Sequence, residues 1–419
     1  MRHPLPYHPE LGAWLRALAQ PDQRAVWLRP AGSLDMEIFS AFPIMHCNDL
    51  EQGKLPGQAA VPSYLEDLPF RGGHLGYISY DGGGTPPLPS VYLGLYPHFI
   101  HIDHHRRTAE EVRLPGFPAP AEEWGQLLAA SLQPPAAAAF ALTGTFQPLT
   151  SPDRYRRDFQ RIQHYLHQGD CYQVNYAQAF RAGCQGSSAA AMDRLLAVSN
   201  PAYAAWLSLP EGEILSLSPE LFLRVEAGRI TTKPIKGTAP RSADPVRDAQ
   251  LREELQASPK NRAENLMIVD LLRHDISQHA ETGSVQVEKL FEVETLPQVH
   301  HLVSTIRANL KKESQSIDLI KDCFPGGSIT GAPKKRAMEI IAELEPTPRS
   351  IYCGSIGYLN LDGSGQFNIA IRTLLRQGDH ITAWAGGGIV ADSDCDAEYQ
   401  ECFDKIGALM RALEDMGPA

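Results

Sequence analysis

The stretch IYCGSIGYLNLDGSGQFNIAIRTLLRQGDHITAWAGGG, residues 351–388, decides the fold class. Ile351 to Leu359, Gln366 to Leu375 and His380 to Ala385 read as successive strands, separated only by short turns. Strands joined without a crossover helix pair antiparallel. The same reading extends upstream, where Leu221 to Val225 and Arg229 to Lys233 flank Glu226-Ala227-Gly228 as a hairpin and Tyr172 to Phe180 reads as a further strand. Helices alternate with these strands. Arg154 to Gln168 puts Tyr155, Phe159, Ile162 and Leu166 on one face and stops at Gly169. Residues 244–276 carry helical periodicity, and a last helix over about 396–414 turns Phe403, Ile406, Met410 and Leu413 to one side. The pattern predicts an α/β (α+β) fold with much antiparallel pairing.

Upstream of these elements, QPPAAAAFALTGTFQPLTSPD, residues 133–153, is rich in Pro, Ala, Thr and Ser and reads as a linker. It predicts two parts, residues 1–150 and residues 151–419. The composition, 43% hydrophobic and 21% charged over 419 residues, is that of a folded globular chain. A net charge of −11 without a basic stripe argues against a nucleic-acid partner. The apolar run from Leu127 to Leu142 is broken by Pro134 and Pro135 and is too short to span a bilayer. Seven dispersed cysteines with no CxxC pair, and no signal-peptide core, predict a reducing, cytoplasmic setting.

Chemistry-bearing residues fall into small groups. Asn261 with Glu264, and Glu398 with Glu401, are spaced to share a helix face. Two such faces meeting would gather the oxygen ligands that Mg²⁺ takes, although isolated pairs of this kind are mostly solvated surface. The glycine-rich GGSITGAPK (326–334) departs from a phosphate-binding loop, because Pro333 precedes the lysine and Lys335 follows it. Lys236, between Ile235 and Gly237-Thr238 at a strand end, is placed to be half-buried, which would lower its pKa and free a nucleophilic amine. His101, His104 and His105 read as a hairpin surface rather than a metal site. His300 and His301 lie in an apolar run, so one of them is expected to point inward.

The order of the motifs says more than any one of them. ILSLSPE (214–220), PIKGT (234–238), RAENLMIVDLLRHD (262–275), VHHLVS (299–304), FPGGSITGAPKKRAMEII (324–341), CGSIGY (353–358), IAIRT (369–373) and AGGGIVADS (385–393) followed by AEYQE (397–401) closely resemble the chorismate-binding enzyme family. The resemblance is dense over about 155–410 and looser in GGHLGYISYD (72–81). It implies the fold of the anthranilate synthase large subunit: two mostly antiparallel sheets packed as a sandwich, helices outside, and the active site in a cleft.

Two positions divide the family's activities. The isochorismate and salicylate synthases carry a water-activating lysine where this chain has Gln173, and a neutral amide is no general base. Anthranilate synthases typically read PIAGT where this chain reads PIKGT. The resemblance therefore implies amination of chorismate at C4, giving 4-amino-4-deoxychorismate on the way to p-aminobenzoate and folate. The alternative is amination to anthranilate with loss of pyruvate.

By resemblance, Lys236 attacks C2 and Glu220 protonates the departing hydroxyl. His301 matches the family's active-site histidine. Glu264 and Glu401 match direct Mg²⁺ ligands, with Glu398 an outer partner. Arg372, Tyr352, Gly386 and Gly388 match groups that hold a substrate carboxylate, while Gly237, Thr238, Ser328 and Lys334 lie in other substrate loops. One departure is Asn261, where relatives carry an acid. The chain shows no glutaminase nucleophile elbow, which predicts a separate glutamine amidotransferase subunit as ammonia donor. Some relatives hold a tryptophan in the N-terminal region, and Arg29 to Phe39 is the corresponding place here.

Overall fold

A computed structural model describes residues 1–30, 35–50, 61–81, 88–136, 138–297 and 299–416. Alternation along the strands builds two apolar layers from one sheet. Val26 and Leu28, Ala177 and Ala179, and Ala205 and Leu207 point to one side. Trp27, Tyr176 and Phe180, and Ala204 and Trp206 point to the other. This first sheet has thirteen strands among the described residues. Its inner side meets Leu75, Tyr77, Phe222, Phe367 and other side chains of a second, ten-stranded sheet. Its outer side is covered by the helices Pro152–Gln168, Ser188–Val198, Lys334–Leu344 and Cys395–Glu414. Pairing is antiparallel, as expected from the short turns.

Several local readings hold. Pro152–Gln168 is a helix with Ser151 accepting from Arg154 N at its start and Gly169 at φ 82° at its end, a left-handed stop that glycine adopts without a Cβ penalty. The hairpin Leu221–Glu226 to Arg229–Lys233 turns through Ala227 and Gly228, both at positive φ. The periodic stretch 244–276 is two helices, Pro245–Ala257 and Pro259–Ser277. Ser258 ends the first, and its hydroxyl accepts from Asn261 N to begin the second.

Other expectations need correction. Strands from both sides of residue 150 share each sheet. Ala25–Arg29 pairs with Tyr203–Leu209 in the first sheet, and Gly73–Ile78 pairs with Ser355–Asn360 in the second. The Pro- and Ala-rich stretch is no free linker, because Phe140–Leu142 and Gln147–Pro148 both pair with Gln173–Gly186. The histidine hairpin is not wholly surface. His101 is buried, and His104 bonds Tyr7 and lies 3.2 Å from Glu37, leaving His105 exposed. His300 and His301 are both buried. Of the segment Arg29 to Phe39, residues 31–34 lie outside the described residues. No helix among the described residues is long and apolar enough to cross a membrane.

The predicted strand Gln366 to Leu375 is in fact two. Gly365–Asn368 belongs to the second sheet and Thr373–Gln377 to the first, so residues 369–372 cross between sheets, with Arg372 at φ 51°. The neighbouring segment does the same. Gly212–Ser218 lies in the first sheet and Leu221–Glu226 in the second, with Glu220 between them. The two crossings are bonded to each other: Ile369 N donates to Glu220 O at 3.0 Å, Leu217 N to Arg372 O at 3.0 Å and Ser218 Oγ to Ile369 O at 2.6 Å.

The N-terminal strands are held by a buried charge cluster. Glu37 accepts from Trp27 Nε1 at 2.9 Å and Arg29 Nη2 at 3.2 Å, and Arg16 lies 4.1 Å over the Trp27 ring. Burial alone would raise the Glu37 pKa. The hydrogen bond to His104, the Arg16 and Arg29 charges and the Trp27 indole outweigh it and hold the pKa at about 2. A carboxylate lowered from 4.5 to about 2 stabilises the fold above about pH 4.5, and that stabilisation, on the order of 3 kcal/mol, is lost as pH falls toward 2. Urea unfolding across pH 2–6 should show this acid-side loss, and Glu37→Gln should flatten it. An unchanged slope in that variant would refute the assignment.

Candidate active site

Lys236 stands near the start of the strand Ile235–Pro240. Its neighbour Gly237 adopts φ 91°, and the pairing with Val299–Asn309 shifts register between Ile235 and Thr238. A Cβ at Gly237 would sit 2.8 Å from Asn261 Cγ, so glycine lets the chain bulge against the helix that carries Glu264. Lys236 Nζ donates to the Ser328 carbonyl at 2.9 Å. Enclosure of the ammonium lowers its pKa. Glu220, Glu264 and Glu401 pull the other way, and Lys405 adds to the lowering.

Glu220 is 4% exposed. Burial raises its pKa, while the Ser328 side chain, the Lys236 charge and the backbone of Ile235 partly hold it down. The two groups are thus pushed toward their neutral forms, a free amine and a protonated acid.

Carboxylates from two helices face this pair. On Cys395–Glu414, Glu398 and Glu401 lie over the glycine strand. A Cβ at Gly387 would come 2.9 Å from Glu398 Oε2 and 3.3 Å from Glu401 Oε1. Glu398 accepts from Ser393 Oγ at 2.7 Å. Burial raises its pKa, and the Glu401 charge raises it further against the Ser393 bond. Glu264, on Pro259–Ser277, is likewise raised, first by burial, and it feels Lys236, Lys260, Glu401 and Lys405. Among the described residues no three acidic, histidine or cysteine side chains converge tightly enough to enclose a metal by themselves. The donors nonetheless suit Mg²⁺. The carboxylates are crowded, with Glu264 and Glu398 raised by burial and by the Glu401 charge, and this ion commonly takes one or two protein carboxylates with the rest from substrate and water.

Sequence reading missed Lys405. Its Nζ lies 2.5 Å from Glu401 Oε1 and donates to the Gly386 carbonyl at 2.8 Å. The signal was available, because Lys405 stands four residues after Glu401 on one helix face.

The opposite wall is made by groups with unused bonding capacity. Thr238 Oγ1 is 2.9 Å from His301 Nδ1, and His301 Nε2 is buried without a partner. Burial, then the nearby Arg372 charge, lowers the His301 pKa to about 4, so the ring is neutral at neutral pH. Arg372 is partly buried, burial lowers its pKa, and no acidic side chain among the described residues pairs with it. A carboxylate ligand would supply that partner. Tyr352 is 4% exposed and stacks on Trp384 with ring centroids 6.3 Å apart. Gly386 and Gly388 pair with Ala177 and Asn175. Gln173 lies against Gly388, where a Cβ would come 1.7 Å from its Nε2, and its Oε1 is buried and unpartnered.

Lys334 does not join this group. Its ammonium is committed to Asp275 Oδ2 at 2.5 Å and the Cys323 carbonyl at 3.0 Å, which makes it a structural pair joining helix Pro259–Ser277 to the glycine-rich loop. A cavity of about 560 Å³ opens elsewhere, lined by Arg224, Arg229, Arg307 and Tyr358, and contains none of the groups above.

This is a half-buried lysine beside a buried carboxyl whose pKa is raised, with a carboxylate cluster facing them, set where two segments of the chain change sheets. The chain belongs to the chorismate-binding enzyme family, whose model, described as chorismate binding enzyme, matches residues 43–411. Among its relatives is aminodeoxychorismate synthase component 1 of Klebsiella aerogenes, 48% identical over 83% of this chain and 78% of that protein. The protein of the same description from Escherichia coli (strain K12) is 46% identical over 84% of this chain and 79% of its own length. Anthranilate synthase component I from Streptococcus pneumoniae superposes with a TM-score of 0.78 at 27% identity, covering 93% of this chain and 92% of that one. The menaquinone-specific isochorismate synthase from Escherichia coli shares the fold, with a TM-score of 0.81 at 22% identity over 99% and 94% of the two chains.

The glycine strand supplies a direct test of the carboxylate pair. Gly387→Ala would push Glu398 and Glu401 by a few tenths of an ångström. Magnesium titration of turnover should show affinity reduced about tenfold, with little change in melting temperature. Unaltered magnesium dependence would remove these carboxylates from the metal site.

Proposed function

We propose that this protein aminates chorismate at C4 to give 4-amino-4-deoxychorismate, a precursor of p-aminobenzoate and folate. The observation that carries the mechanism is the paired burial of Lys236 and Glu220, which drives the lysine toward the free amine and the carboxyl toward the acid. In the first step the Lys236 nitrogen bonds to C2, the ring double bonds shift, and the C4–O bond breaks. Glu220 gives its proton to that oxygen, which leaves as water. In the second step ammonia bonds to C4, the double bonds shift back and the C2–N bond breaks, freeing Lys236. A proton from the new ammonium restores Glu220. The sum is chorismate plus ammonia to aminodeoxychorismate plus water.

Several features support this reading. Burial keeps His301 neutral beside Thr238, so the ring can accept or donate without adding charge. Arg372, which has no acidic partner among the described residues, would take a substrate carboxylate. Gln173 cannot deprotonate water, and its buried unpartnered Oε1 can accept from ammonia instead. Glu264 and Glu401, with Glu398 behind them, would hold Mg²⁺. The ion would clamp the ring carboxylate and draw electrons from the diene.

Ammonia would come from a glutamine amidotransferase subunit, in keeping with the "component 1" description of the relatives. A cytoplasmic setting would keep the seven unpaired cysteines reduced.

Incubation with chorismate, Mg²⁺ and ammonium should give aminodeoxychorismate, and Lys236→Ala should abolish turnover. Anthranilate fluorescence without any added lyase would favour the alternative activity. The pH–rate profile supplies a second test. A lowered lysine and a raised carboxylic acid should bring both limbs of the bell inward from 10.5 and 4.5, with Glu220→Gln removing one limb. Limbs at the ordinary values would count against this pair.

A further inference from the structure

Beneath the candidate site lies a guanidinium with almost no solvent contact. Arg349 is 1% exposed. Its Nε and Nη2 donate to Glu345 Oε2 and Oε1 at 2.8 and 2.7 Å. The rest of the fork reaches two backbone carbonyls, Nη1 to Ile329 O at 2.9 Å and Nη2 to Asn175 O at 2.6 Å. The Tyr80 ring covers it, 4.6 Å from the guanidinium carbon to the ring centroid. Glu345 Oε1 also accepts from Ala177 N at 2.8 Å, and the Arg349 carbonyl accepts from Tyr352 N at 2.8 Å.

Each partner stands next to a group of the candidate site. Ile329 follows Ser328, whose carbonyl holds Lys236. Asn175 lies two residues beyond Gln173 and pairs with Gly388, and Ala177 pairs with Gly386. One side chain therefore bonds the turn whose Ser328 carbonyl holds Lys236 to the glutamine strand, and its own backbone bonds the turn that carries Tyr352. A buried ion pair is a weak source of stability, since apolar side chains of equal volume often serve as well. What a guanidinium supplies in addition is shape, with donors fixed in one plane that can span several acceptors at once.

We propose that Arg349 is a positioning residue for the amination reaction, setting the Ser328 carbonyl, and through it the Lys236 amine, at its distance from the Gln173–Gly388 wall. It touches no reacting atom. The proposal rests on the reading of Lys236 as the nucleophile.

Arg349→Lys keeps the charge but cannot span both carbonyls and Glu345. With kcat normalised to folded protein, this variant should lose about a hundredfold, as expected for a nucleophile misplaced by about 1 Å. The dissociation constant of chorismate, measured by calorimetry in Mg²⁺ without ammonia, should stay close to that of the unaltered enzyme. The rate of adduct formation on Lys236, followed by mass spectrometry under the same conditions, should fall with kcat. Tyr80→Leu removes only the covering ring and should lower the same kcat by a smaller factor.

A folded Arg349→Lys variant with unaltered kcat and adduct rate would overturn the proposal. So would a Tyr80→Leu variant with unaltered kcat if Arg349→Lys does not fold. An unaltered enzyme that aminates chorismate yet never forms the adduct would instead remove the Lys236 reading, and the kcat of Arg349→Lys would then decide the role of Arg349 alone.

Discussion

The site depends on two adjacent segments of the chain leaving one sheet for the other at the same level. Backbone bonds between Glu220 and Ile369 and between Arg372 and Leu217 lock the crossings together. At a crossing the regular ladder stops, so side chains there are released from the in-and-out alternation of a strand. Glu220 and Arg372 can both turn into the space between the sheets because neither belongs to a ladder. Strand continuity on each side makes the pair of crossings rigid, and this rigidity lets a buried acid and a partly buried guanidinium keep fixed places without a salt bridge between them.

The charges gathered at that place are poorly solvated. Burial is the first cause of the altered pKa of Lys236, Glu220, Glu264, Glu398 and Arg372 alike, and it acts against the charged form of each. Mutual attraction among the lysines and glutamates recovers only part of that cost. Such a site is tense without its ligands. On the proposed reading, a dianionic substrate would supply a partner for Arg372, and a divalent cation would relieve repulsion among Glu264, Glu398 and Glu401.

Much of this could be read in the sequence, and the failures have physical causes. The hairpin through Glu226-Ala227-Gly228 and the helix stopped by Gly169 are fixed by local chemistry and were legible. The Gln366 to Leu375 stretch was not, because apolar residues alternate across the crossing just as they do within a strand, and nothing local marks which sheet each half joins. The Ala- and Pro-rich stretch looked like a linker because its composition hides two short strands that exist only by pairing with Gln173–Gly186. His300 and His301 are both buried because helix Pro245–Ala257 covers one side of their strand, where His300 meets Asp248 at 3.1 Å, while Thr238 takes His301 on the other. That is a tertiary fact with no sequence signature. Lys334 was grouped with the substrate loops by motif, but its partner Asp275 is 59 residues away.

The N-terminal 150 residues carry none of the proposed catalytic side chains, yet they cannot be an appendage. Ala25–Arg29 borders Tyr203–Leu209, the strand next to the one that runs into Glu220, and Gly73–Ile78 borders Ser355–Asn360, which follows Tyr352. Tyr80 covers Arg349, and Asp81 Oδ2 accepts from Ser350 N at 2.6 Å. The early chain thus adds strands to both sheets and covers Arg349 beneath the turn that holds Lys236. Separation into an N-terminal part and a catalytic part describes the order of the sequence; the forces that hold Lys236 in place run across that boundary.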